Sequence, residues 1–195
     1  YGNEILRTTV GSGVHGIAIE GTDDHDEMGV YIESMPNLLG IRPYREDYMA
    51  RTRREGERSG PGDTDLILYS LSKYLRLAVK GNPTALLPLF APESDVLVAT
   101  SAGQRLRDLR TSFLSQQAVE RFLGYMHSQH ERMLGRGKQN RVPNRPELIE
   151  RYGWDVKYGS HALRLAHQGY EIAVYGTLTL PLAPGIREHV LAVKQ

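Results

Sequence analysis

There is no cysteine among the 195 residues. Disulfides, zinc–thiolate sites and thiol nucleophiles are thereby excluded, leaving oxygen and imidazole ligands for any metal. Long apolar runs are missing too. The longest, such as Ala85 to Ala91, fall far short of the roughly 20 residues a bilayer-spanning helix needs. The N-terminus also carries no charged-then-apolar signal segment. The expectation is a soluble, cytoplasmic protein with no membrane partner. Charge of one sign is not in excess either, since the formal net charge is +1, which argues against a globally basic nucleic-acid binder. The charges are nevertheless unevenly spread. Between Arg132 and Arg145 stand five basic residues, Arg132, Arg136, Lys138, Arg141 and Arg145, and no acid. That stretch is a candidate contact for the phosphates of an RNA or DNA acceptor. What is present is ordinary: 40% apolar residues, in a chain long enough for one core or for a small catalytic domain with a helical annex.

Along the chain, Ile5 to Val10 is short and β-branched and runs into Gly11-Ser12-Gly13, reading as a strand that ends in a glycine-bearing loop. Val14 to Ile19 has room for one or two helical turns. A second strand follows at Glu27 to Glu33. Residues 36–62, rich in Arg, Gly, Pro and Tyr, form an insertion carrying a hairpin or a loop. Asp65 to Tyr69 suits a third strand, and Ser70 to Lys80 places Leu71, Tyr74, Leu75, Ala78 and Val79 at helical spacing. Gly81-Asn82-Pro83 stops that helix. Further helices are expected over Thr84 to Phe90, Ser112 to Leu134, Trp154 to Tyr175 and Ile186 to Val193, with Gly135 to Pro146 a basic loop. The order gives an α/β (α+β) fold with a short mixed sheet, arranged as a catalytic core over 1–95 and a mainly helical part over 96–195 that closes the cleft.

The chemistry sits at Asp24-x-Asp26. Side chains alternate across a strand, so both carboxylates project from one face. Two adjacent carboxylates repel, and a divalent cation relieves that repulsion best. Oxygen-only ligands favour Mg2+, with Mn2+ as the substitute, and magnesium takes its remaining ligands from water and substrate phosphates. Just upstream, the Gly11-Ser12 turn lets backbone N–H groups and a hydroxyl approach a triphosphate closely. A third carboxylate would permit two metals. Asp65, at the start of the third strand, is the candidate, and Asp63, two residues earlier, is its competitor.

The run Gly11-Ser12-x-x-x-Gly16, Asp24-x-Asp26 and Gly29 resembles the signature of the DNA polymerase β nucleotidyltransferase superfamily. More narrowly, the block from Asp65 to Leu77 with Gly81-Asn82-Pro83, and Trp154-Asp155-x-Lys157-x-x-x-His161-x-x-Arg164-Leu165 with Gly176, resemble the predicted nucleotidyltransferases related to the RNA-repair-pathway polymerase β family. The resemblance implies a polymerase-β-like core. It also implies that Asp24, Asp26 and Asp65 are the metal ligands and that Gly11 and Ser12 hold the triphosphate, with Lys73, Lys157, His161 and Arg164 lining the site. Two positions depart from the pattern: Asp23 stands where a serine is common, and Gly13 where an arginine is.

Each residue also has a plainer reading. An isolated D-x-D is usually an acidic turn; joined to the loop and the Asp65 strand it becomes specific. His127 and His130 lack a convincing third ligand and read as a solvated or interhelical pair. Lys157, His161 and Arg164 share a helical face and form a cationic stripe toward phosphate, or a solvated one. Arg51, Arg53, Arg54 and Arg58 alternate with Glu55 and Glu57 as loop charges, and Tyr44, Tyr48 and Tyr69 either stack a base or pack. The expected reaction is magnesium-dependent transfer of a nucleoside monophosphate from an NTP such as ATP to an acceptor hydroxyl, RNA favoured. The alternatives are an AMPylating enzyme with a protein acceptor, and a non-enzymatic binding module.

Overall fold

The computed structural model describes residues 3–19, 21, 25–43, 45–52, 62–136 and 145–194. Of the residues singled out above, Asp23, Asp24, Tyr44, Arg53, Arg54, Glu55, Glu57, Arg58, Lys138 and Arg141 lie outside them.

Strand β1 (Glu4–Thr9) leads into the short helix α1 (Gly11–Val14) and then β2 (His25–Tyr31). A single turn α2 (Met35–Leu38) and strand β3 (Asp47–Arg51) occupy the expected insertion. Strand β4 (Thr64–Ser70) follows, and the Ser70 hydroxyl accepts from the Lys73 amide to start α3 (Leu71–Val79). At Gly81 the φ of +66° needs the left-handed region, which only glycine adopts freely, so the helix ends there. Asn82 then caps α4 (Pro83–Phe90) through the amides of Thr84 and Ala85. Beyond it come β5 (Val96–Ala99), α5 (Ser101–Asp108), α6 (Gln116–Met133), α7 (Pro146–Tyr152), α8 (Val156–Tyr175) and α9 (Pro184–Lys194).

Caps decide where the two long helices begin. Ser115 accepts from the Ala118 amide, so α6 starts later than Ser112, after a 3-10 turn at Arg110–Phe113. Asp155 accepts from the Lys157 and Tyr158 amides and fixes the start of α8 at Val156 rather than Trp154.

The sheet order is β3-β4-β2-β1-β5, with β2 and β4 parallel and the other neighbours antiparallel. Its fifth strand comes from beyond residue 95, so the sheet straddles the expected boundary between 1–95 and 96–195. Pairing aligns Leu6 and Thr8 with Val30 and Met28, and these with Tyr69 and Ile67, on one face. Helices cover that face: Leu6 and Val30 pack with Tyr74, Ala78, Leu86, Leu89, Phe122, Leu165 and Ile172 in the main core. Val10, Val14, Met28, Leu87 and Ala91 form a second cluster toward one end. The opposite face is polar there, with Arg7 bonded to Glu27 at 3.0 Å and His25 3.2 Å from the same carboxylate.

Candidate active site

At the end of the helix-covered face the residues change from apolar to charged. In register, Asp26 on β2 stands beside Asp65 on β4, and Arg51 on β3 stands beside Asp65 on its other side. Cross-strand neighbours share a face, so the row Asp26–Asp65–Arg51 projects where Met28 and Ile67 project two residues further along. Arg51 Nε lies 3.9 Å from Asp65 Oδ1. Asp63, the competing carboxylate, precedes the strand. Its side chain accepts from the Thr52 hydroxyl at 3.0 Å and its carbonyl from the His25 amide at 2.8 Å, which ties it into the turn.

Gly11 is held against this row. Its φ is +67°, and a Cβ placed there would lie 2.2 Å from Asp26 Oδ2. The loop and the carboxylate thus approach one another as only a glycine allows, and the Val10 amide bonds the Asp26 carbonyl at 2.8 Å to fix the distance.

Facing the row across a cleft of about 390 Å³ is helix α8, which contributes Lys157, Ser160, His161 and Arg164 to the lining; Gly11, Ser12, His15, Asp26, Arg51 and Asp65 line the other side. Lys157, His161 and Arg164 recur at spacings of four and three, which puts them on one stripe of the helix. Arg164 bonds Gln168 Oε1 at 2.9 Å, and Gln168 Nε2 lies 3.5 Å from His15 Nδ1. Helix α9 contributes Lys194, whose ammonium donates to the Ile17 carbonyl at 2.8 Å.

These positive charges act on both histidines. Burial, reinforced by Arg164, Lys157, Arg145 and Lys194, pushes His161 down to about 3. Burial, with Arg164 and His161, holds His15 well below its ordinary value. Burial also lowers Arg164, to about 10, so it stays charged at neutral pH. The cleft therefore has one anionic wall, one cationic wall and two neutral imidazoles. Among the described residues no group of three or more His, Asp or Glu is placed to hold a metal by itself. A cation at Asp26 and Asp65 would have to complete its shell from elsewhere.

Of the residues expected from sequence, the structure brings Gly11, Ser12, Asp26, Asp65, Lys157, His161 and Arg164 to this cleft. Lys73 is not among the lining residues. It bonds Asp47 at 2.7 Å and sits 5.1 Å from the Tyr69 ring centroid. Tyr69 is four residues along β4 from Asp65, about 13 Å at the usual strand rise, so Lys73 secures β3 to the far end of the face. Tyr48 packs edge-on against Tyr31. His15, Arg51, Ser160 and Lys194 escaped the sequence reading. His15 lies four residues after Gly11 in a segment read only as helical turns, and Arg51 belongs to an Arg/Glu-rich stretch and is aligned with Asp65 by strand pairing.

A nucleotidyltransferase-like protein from Exiguobacterium sibiricum 255-15, known from its crystal structure, is similar at 11% identity and a TM-score of 0.37. The alignment covers 99% of this chain and 58% of that one, so this chain spans little more than half its length. No curated protein matches significantly. The RNA repair pathway DNA polymerase beta family matches residues 3–191, nearly the whole length, and the chain belongs to that family.

Proposed function

We propose that the protein is a metal-dependent nucleotidyltransferase. An acceptor hydroxyl attacks the α-phosphate of a nucleoside triphosphate and gives up its proton to the Asp65 carboxylate and on to water. The new P–O bond forms as the bond from the α-phosphorus to the bridging oxygen breaks, and pyrophosphate leaves with that electron pair. The observation that carries this reading is the in-register pair Asp26–Asp65 beneath the Gly11 loop, facing Lys157 and Arg164.

The two carboxylates are oxygen donors of the kind that magnesium or manganese accepts, and their incomplete shell leaves positions for phosphate oxygens and water. Asp26 and Asp65, with Asp24 as the sequence-level partner, would hold it; when bound it supplies charge neutralisation and a lowered barrier to deprotonating the hydroxyl. The chain's own groups do the rest. The amides at the start of α1 lack partners within that helix and, with the Ser12 hydroxyl, suit the β- and γ-phosphates. Lys157 and Arg164 offset the charge that accumulates on the leaving pyrophosphate. In this reading residues 1–95 supply the carboxylates and the phosphate loop, and 96–195 the cationic wall. We assign the nucleic-acid acceptor hydroxyl, RNA first, on the family membership, and place the reaction in the cytoplasm, where NTPs are abundant.

The test is incubation with α-labelled NTPs and an RNA acceptor. Magnesium-dependent label transfer with pyrophosphate release is expected for the wild type and its loss for D26N and D65N. Transfer that survives both substitutions would refute the assignment.

A further inference from the structure

Outside the cleft, three elements converge on one ring. Tyr158 lies in the first turn of α8, Arg132 in the last turn of α6 and Arg145 immediately before α7. Both guanidinium carbons lie 5.9 Å from the Tyr158 ring centroid. The ring quadrupole attracts each cation and fixes its position, while the N–H edges of the guanidinium remain able to donate.

We infer that Arg132 and Arg145, seated against Tyr158, form a clamp for the phosphodiester backbone of a nucleic-acid acceptor strand entering the cleft. Arg145 is anchored from beneath. The Asp155 carboxylate, fully buried, accepts from its backbone amide at 3.3 Å and lies 3.5 Å from its guanidinium, while also capping α8. That one carboxylate is shared among four N–H groups, and among the described residues it takes a single N–H of the five on the Arg145 fork. Among the described residues Arg132 makes no ion pair.

Position supplies the direction. Tyr158 follows Lys157 and precedes His161 by three, both lining the cleft, and the charge of Arg145 is felt at His161. On the other side, Arg132 ends a groove of about 500 Å³ along α6 that Arg121, Tyr125, Ser128 and Gln129 also line, with Glu120 the one acid at its far end. Positions 121, 125, 128 and 129 recur at helical spacing, so beyond Glu120 they form one stripe of polar groups and a ring leading up to the clamp. A polynucleotide fits this run of cations and polar groups because its phosphates repeat along the strand.

The direction of travel rests on the transferase reading; the clamp itself does not, and it is tested without turnover. Fluorescence anisotropy with short labelled single-stranded RNA and DNA, in chelator and without NTP, should show salt-dependent binding by the full chain. R132A and R145A should each flatten the log Kd against log salt slope by about 0.7, the value for one phosphate contact on a single strand. Y158F, which keeps the ring, should bind like the wild type, and Y158A should weaken binding at least as much as either arginine change. Tighter binding of RNA than DNA identifies the ribose strand as the ligand, and equal binding a backbone clamp. Because R145A also touches the α8 cap, R132A is the decisive variant. No binding of either strand, or a slope unchanged in R132A, overturns the clamp and favours a protein acceptor. D26N should bind the strand like the wild type, so loss of transfer without loss of strand binding separates failure of the site from failure of the clamp.

Discussion

In the proposed transferase reading the chemistry turns on Asp26 and Gly11, and each makes a distinct prediction. If, as proposed, the two carboxylates share a cation, removing one charge costs several kcal/mol of transition-state stabilisation, about a thousandfold in rate. D26N and D65N should therefore each lower transfer by about that factor while leaving thermal unfolding nearly unchanged, as measured by initial rates and a melting scan. Gly11→Ala tests the close approach. Its positive φ alone costs about 1–2 kcal/mol for a side-chain-bearing residue, and the new Cβ would collide with the Asp26 carboxylate. Gly40, at φ +72° with nothing within 4 Å of where a Cβ would stand, isolates the first effect. Gly40→Ala should lower stability alone, and Gly11→Ala should lower stability and abolish transfer. Equal activity in the two variants would show that the loop–carboxylate contact is incidental. At this scale the sequence was informative wherever residue type and local spacing coincide, as at Gly11-Ser12 and Asp26. It misplaced Lys73, whose partner Asp47 is remote in sequence and comes near only through the β3–β4 pairing.

Helix α8 carries the cationic wall, and its start depends on one buried group. Asp155 is fully buried and caps the helix through two amides. Asp155→Ala removes that cap and should cost about 1–3 kcal/mol. Because Arg145 loses its anchor too, unfolding by urea and strand binding should both report the loss. The same helix predicts a pH dependence. His161 is held down to about 3, chiefly by burial and then by Arg164, Lys157, Arg145 and Lys194, and His15 is lowered in the same direction. Between its ordinary value near 6.5 and its lowered one, each histidine is protonated in the unfolded chain and neutral in the fold. The unfolded state then binds more protons, so stability falls as pH falls through that window. Melting temperature should drop from pH 7 toward pH 5, and His161→Gln should make the drop shallower. A profile as steep in His161→Gln as in the wild type would assign the loss to other groups. The long helices were readable because their apolar spacing is sustained. Strand β5 and helices α5 and α7 were not: four residues of β5 show no clear period, and α7 is short and charged.

Across the whole molecule the +1 net charge conceals a separation. Carboxylates end one sheet face, and cations from α8 and α9 stand across from them, brought together by packing that no local pattern encodes. The Ile17–Leu182–Val190 cluster and the Leu182 amide to the His15 carbonyl at 3.2 Å close that seam across most of the chain length. In the proposed reading a free divalent cation would be drawn to one wall and repelled by the other, and a free triphosphate would meet the reverse. Their complex would match both at once. Ligand that binds the fold alone stabilises it by RT ln(1 + [L]/Kd), about 2.7 kcal/mol at a hundredfold excess over Kd. For a chain of this size that corresponds to a rise of roughly 5–11 °C in melting temperature. Magnesium with a non-hydrolysable triphosphate should give a shift of that order, whereas either component alone should give much less. If the walls grip one ligand, D65N and R164A should each remove most of the shift and the double variant little more, because residues that act through a shared ligand do not add. Additive losses, or a full shift from triphosphate alone, would mean that the walls bind separately and that the cleft is not one metal–nucleotide site.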